Sequence, residues 1–171
     1  GLGKTLQCLS FFAWLQQGMQ EGGLSKAPIL VVAPTGLLVN WQQEHDLHLF
    51  EPGLGQCVRA YGSELRALRD TQDKEVDVGR SILKTGLLRD AAWVLTTYET
   101  LRDYQHSFGS VRFSVIAFDE IQKIKTPGTL MTEAAKAMNG DFMIGLTGTP
   151  IENRLADLWC IIDTLEPGYL G

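Results

Sequence analysis

The chain is poor in cysteine. Cys8, Cys57 and Cys160 lie far apart with no C-x-x-C pair, which argues against a disulfide framework or a zinc site and for buried thiols in a reducing, cytoplasmic compartment. No segment is apolar for long enough to span a bilayer, and the N-terminus has no signal-peptide layout, so no membrane partner is expected. Positive charge is not in excess: 15 Lys and Arg against 20 Asp and Glu give a net charge of −5. A whole-molecule attraction for nucleic acid is thereby excluded, and any such contact must come from a local surface. Internal repeats and low-complexity tracts are absent too. The chain has 171 residues, 44% hydrophobic and 20% charged, which suits one domain with a proper core.

The pattern along the chain alternates between strand and helix. Leu6, Leu9, Phe12, Ala13 and Leu15 recur at helical spacing as far as Gly18. A continuous apolar run at 29–33 predicts a strand buried on both faces, followed by a helix over 37–50 that Pro52 and Gly53 close. Strands are expected at 56–61, 93–97, 113–118 and 142–146, with helices at 98–106, 129–138 and 155–165 and short helices and loop over 62–90. Strands separated by helices imply parallel βαβ units, an α/β fold whose parallel sheet carries helices on both faces.

Gly1-Leu2-Gly3-Lys4-Thr5 reads as the back half of a G-x-x-x-x-G-K-S/T phosphate loop. Glycine lets backbone N–H groups approach phosphate oxygens, Lys4 would reach the β/γ-phosphates of ATP, and the Thr5 hydroxyl would ligate Mg²⁺. Phe118-Asp119-Glu120-Ile121-Gln122 reads as an apolar strand ending in a carboxylate pair, with Asp119 holding Mg²⁺ and Glu120 polarising the attacking water. Leu146-Thr147-Gly148-Thr149-Pro150 follows another short strand and suits a loop that senses the γ-phosphate end. In a P-loop fold a strand runs directly into the phosphate loop, so the chain reads as a fragment whose P-loop strand is missing. With that strand placed in the middle of the sheet, an interior slot of unpaired backbone groups is expected, and a chain that is marginal or aggregation-prone by itself.

These strings, the carboxylate pair taken with Ile124-Lys125 and the last string continued to Trp159, together with 31–35 through Asn40-Trp41-Gln42-Gln43-Glu44 and with Leu95-Thr96-Thr97-Tyr98-Glu99, resemble the first motor lobe of Swi/Snf-type, helicase-like ATPases of superfamily two, particularly bacterial-type members. The resemblance implies a partial N-terminal RecA-like ATP-binding lobe over 1–171, truncated at both ends, whose second lobe is absent. It implies ATP and Mg²⁺ as cofactors, with Gly1, Gly3, Lys4 and Thr5 at the nucleotide and Asp119 and Glu120 as the catalytic pair. It further implies double-stranded DNA as partner, touched along its backbone by Pro34, Thr35, Thr96 and Thr97, with Gln122, Thr147, Gly148 and Thr149 coupling ATP state to the DNA track. Ile121 stands where such relatives more often show Ala, which predicts crowding behind Glu120.

Other readings remain open at this level. One is an RNA or restriction-type helicase of the same superfamily, against which 147–159 argues, since box-type RNA helicases tend to carry Ser-Ala-Thr where Thr147-Gly148-Thr149 stands. Another is a non-hydrolysing scaffold that binds nucleic acid or a partner, which would have no need of Lys4, Thr5, Asp119 and Glu120 all together. His45 and His48 share one helix turn and could suggest a metal, although charged surface helices produce such pairs routinely. Trp14, Trp41, Trp93 and Trp159 fall at core-like positions.

Overall fold

Five strands made largely of apolar residues set the frame. The computed structural model describes residues 3–70, 82–148 and 155–169, so Gly1 and Thr149 lie outside the described residues. Strands β1 (Ile29–Val32), β2 (Cys57–Ala60), β3 (Trp93–Thr96), β5 (Val115–Asp119) and β7 (Met143–Leu146) form one sheet in the order β2-β3-β1-β5-β7. Every pairing within it is parallel, with Val31 level with both Leu95 and Ala117, and Asp119 level with Leu146. A two-residue pair, β4 (Arg112–Phe113) with β6 (Asn139–Gly140), lies apart.

Because side chains alternate across a strand, this sheet separates its apolar residues into two cores. Ile29, Val31, Trp93, Leu95, Val115 and Ala117 pack with Leu9 and Phe12 of α1 (Lys4–Gln20) and with Leu38 and Trp41 of α2 (Thr35–His48). On the opposite face Leu30, Val32, Val94, Ile116 and Phe118 meet α5 (Tyr98–Asp103), α6 (Gln105–Gly109), α7 (Leu130–Lys136) and α8 (Leu155–Leu165). The expected α/β architecture with helices on both faces is what forms. Among its described residues the 62–90 region holds two short helices, α3 (Leu65–Leu68) and α4 (Thr85–Asp90), flanking a bridge between Arg69 and Leu83.

Several expectations are corrected. No slot opens inside the sheet: β5 pairs directly with β7, and it is the outer edge of β7 that has no strand beside it among the described residues. A groove of about 540 Å³ runs there between β7 and α1, walled by Cys8, Phe11, Phe142, Ile144 and Leu146. Trp14, expected in the core, is exposed and stacks on Phe11, which also meets Phe142 edge-on; Trp159 is exposed as well. The helix expected at 98–106 divides at Tyr104, whose φ of −117° and ψ of 28° leave the helical region. After Asp119 the chain makes a 3₁₀ turn, Ile121–Ile124, that the sequence pattern did not announce.

Candidate functional site

In an all-parallel sheet the strand C-termini share one edge, and ligands of open α/β folds bind there. That edge collects Pro34 after β1, Thr97 after β3, Asp119 at the end of β5 and Thr147 after β7. Helix α1 starts at the same edge. Its first turn holds no acidic residue, no side chain caps it, and Gly3 stands before it with φ 70°. A Cβ on Gly3 would meet nothing within 4 Å, so it is the left-handed backbone, not space, that favours glycine here. The uncapped amides leave the positive end of a 17-residue helix facing outward, an arrangement suited to an anion.

One cleft of about 450 Å³ brings together Gly3, Lys4 and Thr5 with Asp119 and Glu120. Beyond Leu6 of α1, its remaining wall is the face of α2 formed by Leu37, Asn40, Gln43 and Glu44. Those four were not expected at this site, though their spacing of three and four places them on one helical face. The Thr5 hydroxyl and the Asp119 carboxylate are hard oxygen donors opening on one space. That is a donor set suited to Mg²⁺, which binds through a few such oxygens plus phosphate and water.

Asp119 is 7% exposed and held at three points. The Trp41 indole N–H donates to Oδ2 at 2.9 Å, the Glu120 backbone N–H donates to Oδ1 at 2.9 Å, and the Tyr98 hydroxyl donates to the Asp119 carbonyl at 2.8 Å. Burial pushes the Tyr98 phenol well above its ordinary value, with Asp119 and Glu120 adding to the shift, so it stays a donor. Burial, reinforced by the Asp119 charge, likewise raises the neighbouring Cys8 thiol to about 11.

Glu120 follows with φ 51° and ψ 51°, the one non-glycine residue at positive φ among those described. Such a backbone costs roughly 1–2 kcal/mol and turns the chain sharply from the strand into the 3₁₀ turn. Gln122, one residue into that turn, donates its Nε2 to Glu120 Oε2, while its Oε1 accepts from the Thr147 hydroxyl at 2.8 Å. The expected partners Gln122 and Thr147 are therefore joined, and the chain of bonds ends on the carboxylate of Glu120. Gly148 is exposed beside them.

Two expectations fare differently. Thr35 is exposed at the start of α2 and Pro34 half-buried before it. Thr96 and Thr97, by contrast, are buried, and their hydroxyls are committed within the fold. Thr96 Oγ1 donates to the Ala60 carbonyl, and Thr97 Oγ1 caps α5 by accepting from the Thr100 N–H. A contact from this segment to a DNA backbone would have to come from its main chain.

Nor does Ile121 crowd the cleft. It is buried in the core behind, where Gly145 makes room: a Cβ at 145 would lie 2.6 Å from Ile121 Cδ1 and 2.9 Å from Leu165 Cδ1. His45 and His48 do not form a metal pair either. The His45 Nε2 accepts the Leu54 N–H at 3.0 Å, its Nδ1 faces Asp46, and its ring stacks on Trp93 at 4.7 Å. No cluster of metal-ligating side chains is found among the described residues, and among them no helix is long and apolar enough to cross a membrane.

Sheet order, helix placement and the cleft at the strand ends are those of a RecA-like P-loop NTPase-type lobe. The chain belongs to the SNF2-related family, whose domain model matches residues 1–171. It is 39% identical to the Zorya protein ZorD of Escherichia coli O139:H28 over 100% of this chain and 16% of that protein. It is 34% identical to DNA excision repair protein ERCC-6-like 2 of Mus musculus over 100% of this chain and 11% of that one. The Sulfolobus solfataricus SWI2/SNF2 ATPase core in complex with dsDNA superposes with a TM-score of 0.70 at 32% identity, covering 98% of this chain and 30% of that one. The chain thus spans a small part of each of these relatives.

Proposed function

We propose that this lobe binds ATP with Mg²⁺ and, in the full-length protein, drives hydrolysis coupled to movement along double-stranded DNA. The observation that carries the proposal is the convergence of Lys4, Thr5, Asp119 and Glu120 on one cleft, although the chain separates the two pairs widely. Lys4 and the N–H groups of the first turn of α1 bind the phosphates, and Thr5 with Asp119 would hold Mg²⁺. The cation, when bound, neutralises charge that develops between the β- and γ-phosphates. Glu120 takes the proton of the attacking water. Gln122 holds Oε2 of that carboxylate, leaving Oε1 to receive the proton. Movement of the loop at Thr147 reaches Glu120 through Gln122, which gives the DNA-facing side a route to the water-activating group.

Backbone-directed contact suits a protein without net positive charge, and the exposed Thr35 supports it. A second RecA-like lobe would complete the site, so the chain alone is expected to show no turnover. Hydrolysis by the full-length protein is measured with no DNA, single strands and duplex, beside Glu120→Gln. Duplex stimulation that vanishes in Glu120→Gln is the expected result. Bound ATP without turnover in every condition would overturn the motor and leave a scaffold, and stimulation by RNA or single strands alone would replace the duplex partner.

A further inference from the structure

Trp41 is fully buried on α2, and its ring stacks on Phe12 of α1 at 6.1 Å and 18°. Its N–H does something packing does not require: it crosses to the carboxylate of Asp119 at 2.9 Å. Trp93 supplies the contrast, being equally buried with an indole N–H that has no partner among the described residues. The fold therefore tolerates an indole that only fills space, and Trp41 is not of that kind. A carboxylate has about four acceptor positions. Trp41 occupies one on Oδ2 and the Glu120 N–H one on Oδ1, which stops the carboxylate from rotating and leaves a lone pair on each oxygen. One ring thus touches the helix that begins at Lys4, the helix that begins at Thr35 and the end of β5. Thr35 and Trp41 lie on the same helix, about 9 Å apart along its axis at 1.5 Å per residue.

We propose that Trp41 is a positioning residue of the nucleotide site. Its indole N–H fixes the Asp119 carboxylate, so that α2, which starts at the exposed Thr35, sets how that carboxylate meets the cation. The inference rests on the reading of the cleft given above and adds to it the residue that aims the metal-holding group.

The test uses the full-length protein with Trp41→Phe and, separately, with 3-benzothienylalanine at position 41, which keeps the bicyclic shape and replaces N–H by sulfur. Three quantities are read: Mn²⁺ affinity in the presence of ADP by electron paramagnetic resonance, the split between kcat and KM for ATP with duplex, and melting temperature. Loss of a group that orients a metal ligand typically costs about 10–100-fold in affinity or activity. The expected result is a loss in that range for Mn²⁺ affinity and for kcat, with KM for ATP within about twofold and the benzothienyl variant melting with the unmodified protein. Mn²⁺ affinity and kcat both within about twofold in the benzothienyl variant would overturn the proposal, whether or not Trp41→Phe folds. Glu120→Gln separates the two levels. Turnover that survives it sinks the reading of the cleft and this proposal together. Turnover abolished by it but untouched at position 41 sinks this proposal alone.

Discussion

Glu120 sits in a conformation that disfavours it, and the strain can be measured. At φ 51° a residue with a Cβ bears roughly 1–2 kcal/mol that glycine does not. Glu120→Ala and Glu120→Gly both delete the carboxylate and the bond from Gln122, so their difference isolates the backbone. Glycine also widens the unfolded ensemble, which takes back about 0.4–1 kcal/mol. From the mid-values of these two terms the glycine variant is then expected to exceed the alanine variant by about 0.8 kcal/mol, or about 2–3 °C in the melting transition of a domain of this size. Calorimetry on the full-length protein, following the transition of this lobe, reads that difference, and hydrolysis assays show both variants inactive. A glycine variant melting at or below the alanine variant would refute the claim that the acidic turn is strained. Activity retained by either would refute the role given to the carboxylate.

Thr147→Val removes the hydroxyl that reaches Gln122 while keeping the shape; turnover with duplex is expected to fall by at least about 10-fold, with ATP binding by equilibrium dialysis unchanged. Gly53→Ala places a Cβ 2.5 Å from His45 Nε2 at φ 59°, so left-handed strain of about 1–2 kcal/mol adds to overpacking of about 1–3 kcal/mol, and urea denaturation should show the lobe destabilised by about 2–5 kcal/mol. Burial raises the Tyr98 phenol, so the folded state holds its proton where the unfolded chain has released it. Stability from this group is complete below the ordinary tyrosine value of 10.0 and lost as pH rises beyond it, and Tyr98→Phe should flatten that alkaline loss in denaturation curves.

The sheet was legible because parallel strands covered on both faces must be apolar throughout, as Ile29–Val32 and Val115–Asp119 nearly are. The division at Tyr104 was not legible, since 98–106 keeps a helical pattern across the break. That Lys4, Thr5, Asp119 and Glu120 meet in one cleft could be expected because a phosphate loop and a carboxylate pair leave short local signatures. The link from Trp41 to Asp119 spans 78 positions and leaves none. Thr96 and Thr97 were expected at the DNA backbone, and the sequence does not show that Ala60 and Thr100 take up their hydroxyls. The concern over Ile121 failed for a similar reason, since its space is provided by Gly145 on another strand.

The strand order has a consequence for how this lobe comes into being. β1 is flanked by β3 and β5, both of which are synthesised long after it, and the wall of the cleft on α2 faces a carboxylate that emerges later still. A chain leaving the ribosome can therefore pair β1 with β3 and pack α1 on α2 early, but the cleft stays incomplete until Asp119 arrives, and contacts of this range are closed late and slowly. Partly folded forms then have no grip on nucleotide, and capture of ATP becomes a certificate that the whole sheet has closed. A quality-control system that could sense bound nucleotide would need no other sign that the lobe is finished.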